Sequence, residues 1–190
     1  MSGSEPGPAP LRGDGATHPV DRPEPLATTV VTRLVHAGAT VAVAESLTGG
    51  LVVAALTSVP GASAVVRGAV VAYATDLKAT LLAEDPVLLA EAGPVDARVA
   101  EGMAQGARER LGATFGLATT GEAGPESGSG APVGTVFVAL DAPSGSRCLA
   151  LRLAGDREHI RAATTRAALA LLAESLDSAP GPVQEAGTAC

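Results

Sequence analysis

Thr40-Val41-Ala42-Val43-Ala44-Glu45-Ser46-Leu47-Thr48-Gly49-Gly50 changes character twice within a short span. Residues 40–44 are β-branched or small and apolar, the pattern of a short buried strand. Residues 46–50 are a sharp polar turn with paired glycines, and an apolar helical stretch follows to about residue 58. Strand, turn, helix is the repeating step of an α/β fold, and the chain on either side keeps to it. Upstream, residues 26–36 carry apolar positions at helical spacing, and Gly38 stops them. Downstream, Val59-Pro60-Gly61 breaks the helix and 68–74 reads as a second strand. A short helix over 76–82 follows. Asp85-Pro86 opens another, as an N-cap with proline at the first helical position. Asp96 caps a longer helix ending near Gly112, and 113–120 is a third strand. After a glycine- and proline-rich loop over 121–134, strands 136–140 and 147–153 form an antiparallel hairpin across Pro143-Ser144-Gly145. Asp156 caps a final helix to about residue 176. Strands separated by helices, plus one hairpin, predict an α/β layered domain with a mixed sheet.

The totals narrow the function classes. A chain of 190 residues is long enough for one domain with a sizeable core. It has 13 basic and 20 acidic residues, a net charge of −7, which argues against electrostatic capture of nucleic acid or anionic membrane. Tyr73, Phe115 and Phe137 are its only aromatics, too few for a base-stacking platform. Cys148 and Cys190 form no C-x-x-C, and His18, His36 and His159 show no paired metal-ligand spacing. No cofactor or metal is therefore expected. Residues 1–25 are rich in Pro, Gly and Ser, lack the pattern of a signal peptide and read as a disordered arm. Residues 178–190 read as a flexible tail, leaving 26–177 as the domain. Mean hydropathy is +0.29, carried by Ala and Val, yet no apolar run is long enough to span a membrane. The expected location is cytoplasmic.

Two strand ends feed loops able to do chemistry. At Ser46, a strand-to-helix turn places backbone N–H groups and a helix dipole where they favour a developing oxyanion. The same string also reads as an N-cap with glycines for close packing. It matches neither G-x-S-x-G nor S-x-x-K. Past the second strand lies Tyr73-Ala74-Thr75-Asp76-Leu77-Lys78. Lys78 is the only lysine, against 12 arginines. Arginine stays charged, whereas a desolvated lysine loses its proton and acts as a base. A solvated helix lysine and a partly buried strand tyrosine are the plain alternatives. If Ser46 and Lys78 meet at one sheet edge they form a serine–lysine pair. A serine–histidine pair would need His36 or His159, both in helical stretches. The loop over 121–134 can wrap a phosphate or ribose with backbone N–H groups, though it is not a Walker motif. Asp156 reads as a cap, and Arg157 can reach a phosphate.

Five strings occur here in a recognisable order. They are Ala44-Glu45-Ser46-Leu47-Thr48-Gly49-Gly50; Val70-Val71-Ala72-Tyr73-Ala74 with Lys78; Thr120-Gly121 with Ala123-Gly124-Pro125; Pro132-Val133-Gly134-Thr135; and Gly155-Asp156-Arg157. Over residues 26–176 the chain resembles the CinA C-terminal domain family, which includes nicotinamide-nucleotide amidases. The resemblance implies a three-layer α/β/α fold with a mixed sheet. It implies metal-independent hydrolysis of nicotinamide mononucleotide to nicotinic acid mononucleotide and ammonia. It maps the nucleophile onto Ser46, the base onto Lys78 and a supporting tyrosine onto Tyr73. Substrate binding maps onto Glu45, Thr48, Gly49, Gly50, Thr120, Gly121, Ala123, Gly124, Gly134, Thr135 and Arg157. The implied partner is a small-molecule nucleotide, and the implied assembly a homo-oligomer, most simply a dimer.

This chain departs from the family pattern at three positions. Leu47 replaces a cysteine, Glu122 an apolar residue, and Ala131 a lysine. Glu122 would repel a phosphate unless it points away. The larger nucleotide-processing domain of many CinA proteins is not expected in so short an N-terminal arm. The alternative reading is a catalytically weakened nucleotide-binding or competence-related interaction protein.

Overall fold

The computed structural model describes residues 25–82 and 84–177. The arm and tail expected at the two ends lie outside them, save Pro25. Helix α1 spans Pro25–Ala37, strand β1 Val41–Glu45 and α2 Leu51–Thr57. A single 3-10 turn at Ala62–Ala64, unforeseen from sequence, leads into β2 at Val66–Val71. Then come α3 at Thr75–Leu82, α4 at Pro86–Ala92 and α5 at Ala97–Leu111. Strands β3 at Phe115–Gly121, β4 at Thr135–Ala142 and β5 at Gly145–Arg152 precede α6 at Arg157–Asp177. Asp85 and Asp96 cap α4 and α5 through side-chain oxygens, and Gly112 ends α5 in the left-handed conformation.

The strands form one mixed sheet in the order β2-β1-β3-β4-β5. β1 pairs in parallel with β2 and β3, and β3, β4 and β5 run antiparallel. The alternation within Val41-Ala42-Val43-Ala44 sorts the two faces by size. Val41 and Val43, with Leu117, Val138 and Leu140, pack against α1, α2 and α6. Ala42 and Ala44, with Ala118 and Ala139, pack against α5 and parts of α3 and α4. The small face lets α5 come close: a Cβ on Gly116 would lie 2.0 Å from the Ala104 carbonyl oxygen. Helices therefore cover both sides of the sheet, and the fold is three-layered α/β/α.

One element differs from expectation. The second strand was expected over 68–74 but pairs over Val66–Val71. Among the described residues β2 is an edge strand that pairs with β1 alone, and β1 ends at Glu45 opposite Val71. Beyond the last bond, from Ala72 N to Glu45 O, the ladder has no partner. Tyr73 therefore belongs to the connection into α3. From β1 the chain passes through α2 to β2 on one side, then through α3, α4 and α5 to β3 on the other. The carboxyl ends of β1 and β3 flank this change of direction, the usual place for a ligand crevice in an α/β sheet.

Candidate active site

A pocket of about 240 Å³ opens at these strand ends. Its walls include Ser46 and Leu47 after β1, Tyr73 after β2, Lys78 from α3, Thr120 to Ala123 at the end of β3, and Arg157 from α6. Seven residues expected from sequence thus come together there: Ser46, Tyr73, Lys78, Thr120, Gly121, Ala123 and Arg157. Neither His36 nor His159 lines it. His159 is bonded to Asp156 at the start of α6, so neither of these two histidines stands at the pocket to pair with Ser46.

Lys78 is 1% exposed. Its Nζ donates to Pro94 O at 2.7 Å and to Thr120 Oγ1 at 2.7 Å. Thr120 Oγ1 itself donates to Pro94 O at 2.6 Å. Burial lowers the Lys78 pKa from 10.5 to about 8, partly opposed by the Glu84 carboxylate. The two acceptors match the two N–H donors of a neutral amine and leave its nitrogen lone pair free. No hydrogen bond joins Nζ directly to Ser46 Oγ. Both residues line the same cavity, and catalytic hydrogen bonds commonly tighten only when substrate fills the site.

Several of the expected substrate contacts have partners within the protein itself. Glu45 continues the Val41–Val43 face, and its buried carboxylate accepts from Gly50 N at 2.9 Å, Val52 N at 3.2 Å and Val53 N at 2.8 Å. The first N–H groups of α2 are thus capped by Glu45 and not directed at a ligand, contrary to the reading of this turn from sequence. Thr48 Oγ1 is bonded to Thr119 Oγ1 at 2.7 Å and ties the turn to β3. Gly49 and Gly50 take positive φ in the turn itself. Gly124 offers its carbonyl to Arg157 at 2.8 Å, and Gly134 packs on Leu153. The Thr135 hydroxyl is bonded by Arg152. None of these residues lines the pocket.

At the rim, Tyr73 is 59% exposed and its hydroxyl accepts from Arg157 Nη2 at 2.6 Å. Through Tyr73 OH and Gly124 O, Arg157 bridges the β2–α3 connection and the 121–134 loop. Arg161 was not singled out in the sequence. Its guanidinium donates to Leu47 O at 3.0 Å and Thr48 O at 2.8 Å, pinning the serine turn from α6. The signal was there: Arg157 and Arg161 lie four apart on one helix, hence on one face. Glu122 lines the pocket, but its carboxylate turns back onto the following loop.

Glu84 is 6% exposed beside α5, where Gly102 makes room: a Cβ there would lie 1.7 Å from Glu84 Oε1. Among the described residues its Oε2 has no hydrogen-bond partner. Burial raises its pKa from 4.5 to about 7, opposed by Lys78 and reinforced by Asp85. The folded state holds this proton more tightly than the unfolded chain, so its contribution to stability falls as pH rises from 4.5 to about 7. Lys78 behaves oppositely: the unfolded chain binds its proton more tightly, and stability rises from about pH 8 to 10.5. Urea midpoints across this range are expected to fall, then rise. Glu84→Gln is expected to abolish the fall and let the rise begin at lower pH, because the carboxylate supporting the Lys78 charge is gone.

Residues 23–176 match the CinA C-terminal domain family. A CinA-like protein of Frankia casuarinae is 51% identical over 147 residues, 77% of this chain but 34% of its own length. The chain thus spans about a third of such curated relatives. Among solved structures, a CinA superfamily protein of Klebsiella pneumoniae superposes with a TM-score of 0.78 at 32% identity, covering 81% of this chain and 97% of that one. The competence/damage inducible protein CihA of Agrobacterium tumefaciens gives 0.77 at 37% identity, over 89% and 99%. No described helix is long and apolar enough to cross a membrane.

Proposed function

The chain belongs to the CinA C-terminal domain family, and from that membership and the Ser46–Lys78 pocket we propose that it hydrolyses a carboxamide, nicotinamide mononucleotide, to nicotinic acid mononucleotide and ammonia. The observation that carries this reading is the buried Lys78 amine, its two donors held by Pro94 O and Thr120 Oγ1, in the wall of the cavity that holds Ser46. Neutral Lys78 takes the Ser46 proton as Oγ attacks the carboxamide carbon. The N–H of Leu47, beside the nucleophile, is the candidate donor to the oxyanion. Lys78 then returns its proton to the departing nitrogen, ammonia leaves, and an ester on Ser46 remains. Water, deprotonated by Lys78, attacks that ester; the acyl–Oγ bond breaks, Lys78 returns the proton to Ser46 Oγ, and the acid leaves. Arg161 holds the turn and Arg157 the rim during these steps.

The test is ammonia release from nicotinamide mononucleotide by the purified protein and by Ser46→Ala. The variant is expected to lose about a thousandfold in kcat, about 4 kcal/mol. Equal release by both would remove Ser46 as nucleophile, and release by neither would remove the substrate.

A further inference from the structure

Glu122 is the first residue past β3, and one oxygen of its carboxylate is held by three donors. Oε2 accepts from Gly128 N at 3.0 Å, Ser129 N at 3.0 Å and Ser129 Oγ at 2.9 Å. Two successive backbone N–H groups and a hydroxyl converging on one point form an anion-accepting concavity. Such donors suit a phosphoryl oxygen as well as a carboxylate oxygen. Glu122, Gly128 and Ser129 line the same pocket as Ser46 and Lys78. Among the described residues no arginine, lysine or histidine forms an ion pair with Glu122.

We infer that Glu122 is a specificity-determining residue that occupies the Gly128–Ser129 cradle as an internal anion. A phosphate-bearing carboxamide must either displace that carboxylate or lie beside it against like-charge repulsion. The same carboxamide without its phosphate meets neither obstacle. Discrimination here comes from a repulsive group built into the site. The inference rests on the amidase reading for the identity of the substrate, and Glu122 sets how well the pocket accepts the nucleotide relative to the nucleoside.

The test uses the full chain and Glu122→Gln, which keeps an acceptor oxygen for the cradle and removes the charge. kcat/KM is measured for nicotinamide mononucleotide and for nicotinamide riboside. The nucleotide-to-nucleoside ratio is expected to rise about tenfold in the variant, through KM, and Glu122→Leu is expected to move it the same way. A ratio that stays put, or a loss shared equally by both substrates, makes Glu122 a loop cap only and overturns the inference. Calorimetric binding of nicotinamide mononucleotide in a Ser46→Ala background separates this from the amidase reading. Tighter binding when Glu122 is also replaced by Gln upholds the inference even if no ammonia appears. Equal affinity with and without that change, or no binding in either case, overturns it.

Discussion

Lys78→Met is expected to lower kcat for ammonia release about a thousandfold or more, roughly 4 kcal/mol of barrier. Methionine is unbranched like lysine, one atom shorter, and suits a buried site, so the loss reports chemistry and not collapse. The amine sits at 1% exposure with a pKa lowered to about 8. Only its neutral form can take the Ser46 proton, so kcat/KM is expected to climb with pH through an apparent pKa near 8. That limb is expected to vanish in Lys78→Met, whatever residual rate remains. Lys78→Arg is expected to fare no better, since a guanidinium keeps its proton. A Lys78→Met enzyme within tenfold of the parent rate, or one with the same acid limb, would remove Lys78 as the base.

Gly106→Ala is expected to destabilise the protein by about 3 kcal/mol, read as a lower urea midpoint at unchanged m. Helix propensity alone predicts the opposite, a gain of about 1 kcal/mol for alanine inside a helix. The position decides the sign. A Cβ on Gly106 would lie 2.0 Å from the Leu82 carbonyl oxygen and 2.9 Å from its carbon, both backbone atoms that no rotamer change can move. Helices α3 and α5 would have to separate. Lys78 lies one turn before Leu82 on α3, so the same substitution is expected to lower kcat in whatever fraction remains folded. A midpoint equal to or above that of the parent would mean that α3 and α5 do not meet so closely at Gly106.

Much of the architecture was legible because it follows from local chemistry. Val and Ala alternating over 41–44 determine both a strand and the unequal depth of its two faces. Asp85, Asp96 and Asp156 mark helix starts because their side chains accept N–H groups that the helix leaves unbonded. Ser46, Lys78 and Tyr73 were singled out by residue type and resemblance, and the pocket gathers all three. The end of β2 was misplaced because an edge strand stops where its partner stops, and the length of β1 is not encoded in 68–74. Glu45 and Thr48 looked like ligand contacts because a polar residue beside glycines reads the same whether it faces a substrate or a neighbouring backbone. Their partners at Val53 and Thr119 are set by the turn of α2 and the register of β3.

What the sequence determined by itself is the order of elements, the two-faced sheet, the acidic balance and the singular lysine. Each depends on residues close together in the chain or on composition. The tertiary structure alone decided what those residues meet. It buried the Lys78 amine against Pro94 and Thr120, sixteen and forty-two positions away in the chain, and that lowered its pKa. It gave the first N–H groups of α2 to Glu45. It also turned Glu122 onto the amides of its own loop, where a net charge of −7 and a glycine-rich string could not place it. Desolvation and hydrogen-bond partnership are properties of position in space, and they are what convert a list of candidate residues into a site.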